Sequence, residues 1–321
     1  MTIDNTQTNL RIYNGHSEAV TLHCPVCGPE DRKVAGYSND LQIVSCCGCG
    51  LMYVGESPPI DETEDFFREE HVPDEELAET AYVYKRQHSL KREAQLIRGL
   101  LPDGGRLLDV GTASGLFLAQ FADDRDWCVE GVEPSRVSAM YARRNFNLKV
   151  HEGYLRDLQF SRDHFDVVCS LDAFLCHREP VEDMEEFYRI LAPGGYLAIE
   201  IPGHHYRLMN SLLTRFRRRG RNTLRLNAGV NFYYYTRETL TKLAANAGFE
   251  FVESHPEAMP RTPNSLVRVL RNSYDASASL LYRMTGGRVH IAAKEFCIFQ
   301  KPATITLSSS IRSNTAKRKV A

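Results

Sequence analysis

One stretch of the sequence decides the fold: Leu107-Leu108-Asp109-Val110-Gly111-Thr112-Ala113-Ser114-Gly115. Its apolar start predicts a buried strand, and the glycine loop that follows leads into a predicted helix over Leu116–Ala122. A loop of this kind brings the backbone close to a ligand. Its two glycines are spaced Gly-x-x-x-Gly, whereas a dinucleotide site uses Gly-x-Gly-x-x-Gly around a pyrophosphate. The stretch therefore indicates a ligand-binding loop without the pyrophosphate pattern.

Strands and helices alternate around this loop. The predicted strands are Arg106–Val110, Trp127–Val132, Phe165–Ser170, Tyr196–Ile201, Phe249–Ser254 and Glu295–Gln300, and the predicted helices are Tyr82–Leu101, Leu116–Ala122, Ser135–Asn145, Val181–Leu191 and Thr236–Ala247. This alternation predicts an α/β fold in which helices cover both faces of a parallel sheet.

An acidic residue, Glu133, ends the second predicted strand, eighteen residues after Gly115. A carboxylate at this place can accept hydrogen bonds from both hydroxyls of a ribose. Enzymes that bind NAD place an acid similarly, so Glu133 alone does not discriminate between cofactors.

The order of the later motifs does discriminate. Asp109–Gly115, Glu133, Phe165-Asp166-Val167-Val168, His177 and Leu191-Ala192-Pro193-Gly194-Gly195-Tyr196-Leu197 follow one another along the chain. In this order they resemble the successive motifs of class I S-adenosylmethionine-dependent methyltransferases. The resemblance covers roughly residues 104 to 255.

The resemblance implies a Rossmann-like fold with a mostly parallel seven-stranded sheet, and S-adenosylmethionine as the cofactor. In that family the glycine loop holds the methionine portion and the acid after the second strand holds the ribose. The cofactor-binding residues expected on this basis are Asp109, Gly111, Thr112, Ala113, Gly115 and Glu133. Ala113 stands where the family commonly has a glycine, and it is small enough to permit close approach.

Two cysteine pairs precede this region. Cys24-x-x-Cys27 and Cys46-x-x-Cys49 are separated by eighteen residues, which matches the ligand spacing of a tetrahedral structural zinc site. Four thiolates leave zinc no open position, so we expect a role in folding and none in chemistry. Cys47 breaks the two-residue gap and lies outside this ligand set. A redox-active thiol pair is the alternative, but it leaves the second matched pair unexplained.

These features divide the chain into five regions. We expect a flexible leader over residues 1–20, a four-cysteine zinc-ribbon-like module over 21–58, an acidic connector and helix over 59–103, the methyltransferase domain over 104–302 and a disordered tail over 303–321. The connector holds ten acidic residues and one arginine between Asp61 and Glu79, which is typical of a solvated surface segment.

The acceptor side is expected at the carboxyl ends of the strands, where open α/β sheets bind ligands. His177 follows the predicted strand Phe165–Ser170 and is the candidate general base, with bracing of its loop as the alternative role. Adjacent His204 and His205 lack a third metal ligand in sequence. Asn231 precedes the aromatic run Phe232–Tyr235, which lines an acceptor pocket or packs in the core.

Charge and composition narrow the function. The formal net charge is −2 over 321 residues, so a general polyanion binder is not expected, although Arg215–Arg221 suits phosphate recognition. No secretory leader and no membrane-spanning stretch is evident, which favours a cytoplasmic protein. We expect methyl transfer to a small-molecule acceptor such as a sugar or another metabolite of cell-surface or secondary metabolism. An anionic or nucleotide-linked acceptor would suit Arg215–Arg221, for which a solvated surface stretch and contact with an anionic membrane surface are the alternatives. A zinc-ribbon RNA methyltransferase is one alternative, which the acidic connector disfavours, and a non-catalytic cofactor-binding protein is the other.

Overall fold

A computed structural model describes residues 19–29, 31–57, 59, 67–68, 81–217, 224, 226–258 and 265–303, with backbone alone at 81–85, 210 and 212–217. Residues 1–18 of the predicted leader, 60–66 and 69–80 of the predicted connector and 304–321 of the predicted tail lie outside the described residues. No side chain of the arginine-rich stretch Arg215–Arg221 is described: residues 215–217 are described by backbone alone, and 218–221 lie outside the described residues.

The chain forms the following elements. The strands are β1 (Val20–Thr21), β2 (Arg32–Ser38), β3 (Leu41–Cys46), β4 (Met52–Val54), β5 (Glu56–Ser57), β6 (Gly105–Val110), β7 (Trp127–Glu133), β8 (Lys149–Glu152), β9 (Phe165–Leu171), β10 (Leu191–Pro202), β11 (Tyr233–Tyr234), β12 (Glu250–Glu257) and β13 (Lys294–Gln300). The α-helices are α1 (Ala81–Leu100), α2 (Arg136–Phe146), α3 (Pro180–Ile190), α4 (His204–Arg217), α5 (Arg237–Asn246) and α6 (Ser265–Met284).

The central sheet has seven strands in the order β12-β13-β10-β9-β6-β7-β8. Neighbours from β10 to β8 are parallel, and β13 runs antiparallel to both β10 and β12. Its inner strands are apolar on both faces, as expected for a sheet buried between layers of helices. The expectation of a mostly parallel seven-stranded sheet is confirmed.

The helix predicted over Leu116–Ala122 is wrong in type. The segment instead forms turns and one short 3-10 helix over Leu118–Gln120. Its amides bond three residues back, from Gln120 to Phe117 and from Phe121 to Leu118. A segment this short gains few α-helical bonds, and 3-10 turns are common in such short connections.

The cysteine module is completed by residues from far along the chain. Its four-stranded sheet has the order β11-β4-β3-β2, and β11 supplies Tyr233 and Tyr234 opposite Tyr53 and Met52. The amide of Val54 also donates to the Phe232 carbonyl at 2.9 Å. One continuous apolar core joins the module to a face of the central sheet. The module is therefore built into the larger domain.

Within the described part of the chain, no helix combines the length and the apolar character needed to cross a bilayer.

Candidate active site and cysteine centre

The glycine loop lies at the carboxyl end of β6. The amides of Gly111 and Thr112 both donate to the Val132 carbonyl, at 2.9 and 3.1 Å, which ties the loop to β7. Gly111 and Gly115 have φ of +82° and +77°, in the left-handed region that favours glycine. Ala113 lies there too, with φ of +47°. The loop is thus held in a conformation that ordinary residues adopt only at a cost.

Glu133 fastens this loop from the next strand. One carboxylate oxygen accepts from the Ala113 amide at 2.7 Å, and the other accepts from the Ser135 amide at 2.9 Å. Ser135 is also the N-cap of α2, where its hydroxyl accepts from the Ser138 amide. The Glu133 side chain is buried, and a carboxylate oxygen has two lone pairs, so one backbone bond does not saturate it. It can therefore hold the loop and meet ribose hydroxyls together.

Asp109 and Thr112 bring two buried polar atoms to the same place. Among the described residues, Asp109 Oδ1 and the Thr112 hydroxyl oxygen have no hydrogen-bond partner. Burial raises the pKa of Asp109 to about 7. A buried carboxylate oxygen without a partner is costly, so a cationic ligand at this point would be favoured.

These residues fit S-adenosylmethionine. The methionine portion carries an ammonium group that suits Asp109, and the ribose carries hydroxyls that suit Glu133. The structure brings Asp109, Gly111, Thr112, Ala113 and Glu133 together at one edge of the sheet. Gly115 also has a packing role, because a Cβ there would lie 2.7 Å from Leu148 and 2.8 Å from Ala142. Gly115 permits the close packing of the loop against α2.

His177 lies in the loop between β9 and α3, beside the cofactor loop. Its Nδ1 is 2.8 Å from an Asp183 carboxylate oxygen on α3. Its ring packs near the rings of Phe174 and Phe187, with centroids 5.2 and 6.3 Å away. A carboxylate at Nδ1 fixes the orientation of an imidazole and directs Nε2 elsewhere, as a general base requires. The same bond also braces the loop, so the geometry accommodates both predicted roles.

The aromatic run after Asn231 packs in the core. Tyr233, Tyr234 and Tyr235 are buried, as is Phe232. Ring neighbours connect Tyr53 of the module through Tyr233, Tyr235 and Phe174 to His177, with successive centroids 5.2 to 6.2 Å apart. The cysteine module thereby contacts the loop that carries the candidate base.

Asn231 is also structural. Its side-chain amide donates to the Leu226 carbonyl at 3.2 Å, and its oxygen accepts from the Cys176 thiol at 3.4 Å. The rings of His204 and His205 lie 5.7 Å apart. In the described ranges, neither histidine belongs to a group of three possible metal ligands.

Sequence reasoning missed a buried cluster of charges below the acceptor side. Arg86 Nη1 lies 2.6 Å from carboxylate oxygens of both Asp172 and Glu200, and Lys294 donates to the same two carboxylates. Although burial opposes ionisation, Lys294 and Arg86 lower the pKa of Glu200 to about 2. Asp172 directly follows β9 and has φ of +59°. The cluster fixes the start of the loop that leads to His177.

A signal for this cluster exists in the sequence. Arg86 and Glu93 lie on the face of α1 that also buries Leu90, Ala94 and Ile97. Charged residues on the apolar face of a helix require buried partners. The identity of those partners depends on tertiary structure.

The four predicted cysteines converge at the other centre. The sulfurs of Cys24, Cys27, Cys46 and Cys49 all lie within 4.8 Å of one another, and those of Cys24 and Cys49 are 3.5 Å apart. Tetrahedral zinc with bonds of about 2.3 Å places its sulfurs about 3.8 Å apart. Gly28 and Gly50 have φ of +78° and +79°, and their amides return to the carbonyls of Cys24 and Cys46. This donor set and spacing fit a structural zinc ion.

Cys47 is exposed and lies outside the cluster.

Comparison with known proteins identifies the family to which the domain belongs. A profile described as a methyltransferase domain matches residues 82–254, more than half of the chain. The chain therefore belongs to this methyltransferase domain family.

The curated relatives align over shorter segments. The chain is 31% identical over 91 residues to demethylmenaquinone methyltransferase of Chlorobaculum parvum, which covers 28% of this chain and 38% of that protein. It is 29% identical over 114 residues to tRNA U34 carboxymethyltransferase of Dichelobacter nodosus, and this match covers 34% of this chain and 36% of that protein. The chain thus spans little more than a third of the length of either relative.

A solved structure shares the fold. A chain in the complex between the Haloferax volcanii Trm112 methyltransferase activator and a methyltransferase superposes with a TM-score of 0.50. It is 20% identical, and the match covers 72% of this chain and 100% of that one. At this identity the likeness supports the Rossmann-like methyltransferase fold alone.

Proposed function

We propose that the protein transfers the methyl group of S-adenosylmethionine to a small-molecule acceptor. The observation that carries this proposal is the cradle formed by the glycine loop, the unpartnered carboxylate oxygen of Asp109 and the buried carboxylate of Glu133. The family match to a methyltransferase domain supports the same activity. The sulfonium of the bound cofactor supplies an electrophilic methyl group.

The residues of the chain contribute position and water exclusion. Glu133 holds the loop and the ribose, and Asp109 binds the ammonium group. The loop from Asp172 to His177 packs tightly against the glycine loop. A Cβ added at Gly111 would lie only 2.5 Å from the Ala173 side chain. Positioning of two reactants contributes much of the rate of such an in-line displacement. His177 Nε2 would take a proton from an acceptor that must lose one.

The acceptor is proposed to be anionic or nucleotide-linked. Residues 201–237 contain eight arginines and no acidic residue. The segment begins at the carboxyl end of β10, and its last arginine, Arg237, pairs with Glu295 and Glu238. Guanidinium groups bind phosphate and carboxylate well. The same basic segment is the observation that favours the second candidate, an RNA methyltransferase, and one relative is named for action on tRNA.

Zinc is proposed to hold the module in its folded state and to take no part in chemistry. The closed four-sulfur arrangement supports this role. We further propose that the protein acts in the cytoplasm.

Product formation tests the activity. Purified protein is incubated with methyl-labelled S-adenosylmethionine and fractionated cell extracts, with the small-molecule and RNA fractions assayed separately. We expect label in a small-molecule product. Label in RNA alone would replace the first candidate by the second, and no label in any fraction would favour a non-catalytic cofactor-binding protein.

A further inference from the structure

Helix α6 carries an apolar stripe on its solvent side. Leu266, Val269, Leu270, Leu280 and Met284 recur at helical spacing on one face and are 59% to 76% exposed. Large apolar side chains grouped in this way on a surface mark an interaction site.

The opposite side anchors the helix to the domain. Ala278 is buried, the Tyr274 hydroxyl donates to the Ile291 carbonyl, and the Tyr282 hydroxyl donates to the Ser254 carbonyl at 2.6 Å. The helix is therefore fixed on one face while the stripe points away from the core.

The surroundings of the stripe are basic. Residues 258–293, which contain α6, hold five arginines and one acidic residue. Arg268 and Arg283 are exposed on the helix itself. The tyrosine rings of Tyr206 on α4 and Tyr274 on α6 lie 5.9 Å apart, so α6 also contacts the start of the arginine-rich segment 201–237. Since the whole chain has a net charge of −2, positive charge is concentrated in residues 201–237 and 258–293, which are the two basic insertions.

We propose that α6 binds the surface of an anionic lipid bilayer, lying in the plane of the interface. An amphipathic helix with leucines on one face and exposed arginines on its other sides gains both from apolar burial and from attraction to acidic headgroups. The exposed apolar residues of α6 are not among the residues assigned to cofactor binding or methyl transfer, so vesicle binding does not depend on turnover.

Two other occupants fit the observations less well. RNA would pair with the arginines but would leave the leucine stripe in water. A second copy of the chain would bring two basic insertions together. One face of this 20-residue helix is about 30 Å by 10 Å, or roughly 300 Å², well below the ~800 Å² per partner of a typical stable interface.

The test is co-sedimentation of the full chain with two kinds of sucrose-loaded vesicles. The neutral vesicles contain phosphatidylcholine alone, and the anionic vesicles contain phosphatidylcholine with about one third phosphatidylglycerol. We expect binding to the anionic vesicles, weaker binding to the neutral ones and a decrease at high salt. The double variant Leu266→Glu/Leu270→Glu removes two exposed leucines from the contact and adds repulsion, so its partition coefficient should fall at least about tenfold. Both positions are exposed, so the melting temperature should not change.

The matched control is Val34→Glu, because Val34 is a similarly exposed apolar residue on the cysteine module. It should bind vesicles like the wild type. The proposal is overturned if the wild type stays in the supernatant with anionic vesicles, or if the double variant sediments as well as the wild type. A dimer that the double variant converts to a monomer, without vesicle binding, would assign the stripe to a second copy. Binding of tRNA without vesicle binding would assign the basic insertions to nucleic acid.

Discussion

Replacing Gly111 by alanine perturbs the cofactor loop at its most constrained point. Gly111 has φ of +82°, and a Cβ added there would lie 2.5 Å from the Cβ of Ala173. The left-handed conformation costs a non-glycine residue about 1–2 kcal/mol. Overlap with a well-packed neighbour costs about a further 1–3 kcal/mol. Gly111→Ala should therefore destabilise the native loop by about 2–5 kcal/mol.

The loop can relieve this strain by moving, which changes the cradle that Glu133 and Asp109 share with it. We expect S-adenosylmethionine affinity, measured by calorimetry, to fall by about 30-fold or more, since 1.4 kcal/mol corresponds to tenfold. The thermal unfolding midpoint should fall with it. Gly111→Val should have an effect at least as large.

Two further variants separate strain from general damage. Gly99→Ala is the control, because Gly99 lies in α1 with no atom within 4 Å of an added Cβ, and alanine there should be neutral or stabilising. The double variant Gly111→Ala/Ala173→Gly removes the overlap and should recover part of the lost affinity. Wild-type affinity and melting in Gly111→Ala would refute the argument.

Three other variants test the remaining residues. Glu133→Ala should weaken cofactor binding by about 1.5–3 kcal/mol in calorimetry. It should also lower the melting temperature, because the Glu133 carboxylate accepts from two backbone amides. Unchanged binding would remove Glu133 from the site. Metal analysis should find one zinc per chain in the wild type and in Cys47→Ser, but less in Cys24→Ser, with a lower melting temperature; equal zinc in both variants would contradict the ligand set. Once the acceptor is known, His177→Ala should lower the transfer rate by about 10²–10⁴-fold with cofactor affinity unchanged; a fall in melting temperature and cofactor binding instead would assign the His177–Asp183 pair a bracing role.

The parts of the site that sequence predicts well are local. Asp109, Gly111 and Glu133 occupy strand ends and a short loop, so spacing along the chain places them near one another. The cysteine pairs likewise depend on two short turns, in which Gly28 and Gly50 have positive φ.

The parts that sequence does not predict depend on distant partners. The charge cluster joins Arg86, Asp172, Glu200 and Lys294, which come from four separate parts of the chain. The module strand β11 pairs with β4 from the opposite end of the chain, so the aromatic run reads equally as a pocket lining or as core. Pairing between remote segments is set by packing that no local pattern contains.

The sequence pattern of α6 predicts a helix but not which face of it is buried. Its apolar residues recur at helical spacing from Leu266 to Met284. The stripe faces solvent, however, so the rule that an apolar face marks the core gives the wrong side for this helix.

Calorimetric titration with S-adenosylmethionine and, separately, with NAD tests the central claim most directly. The geometry of the glycine loop, Asp109 and Glu133 predicts one S-adenosylmethionine bound per chain and no measurable heat from NAD. Binding of NAD with none of S-adenosylmethionine would contradict the assignment of this site.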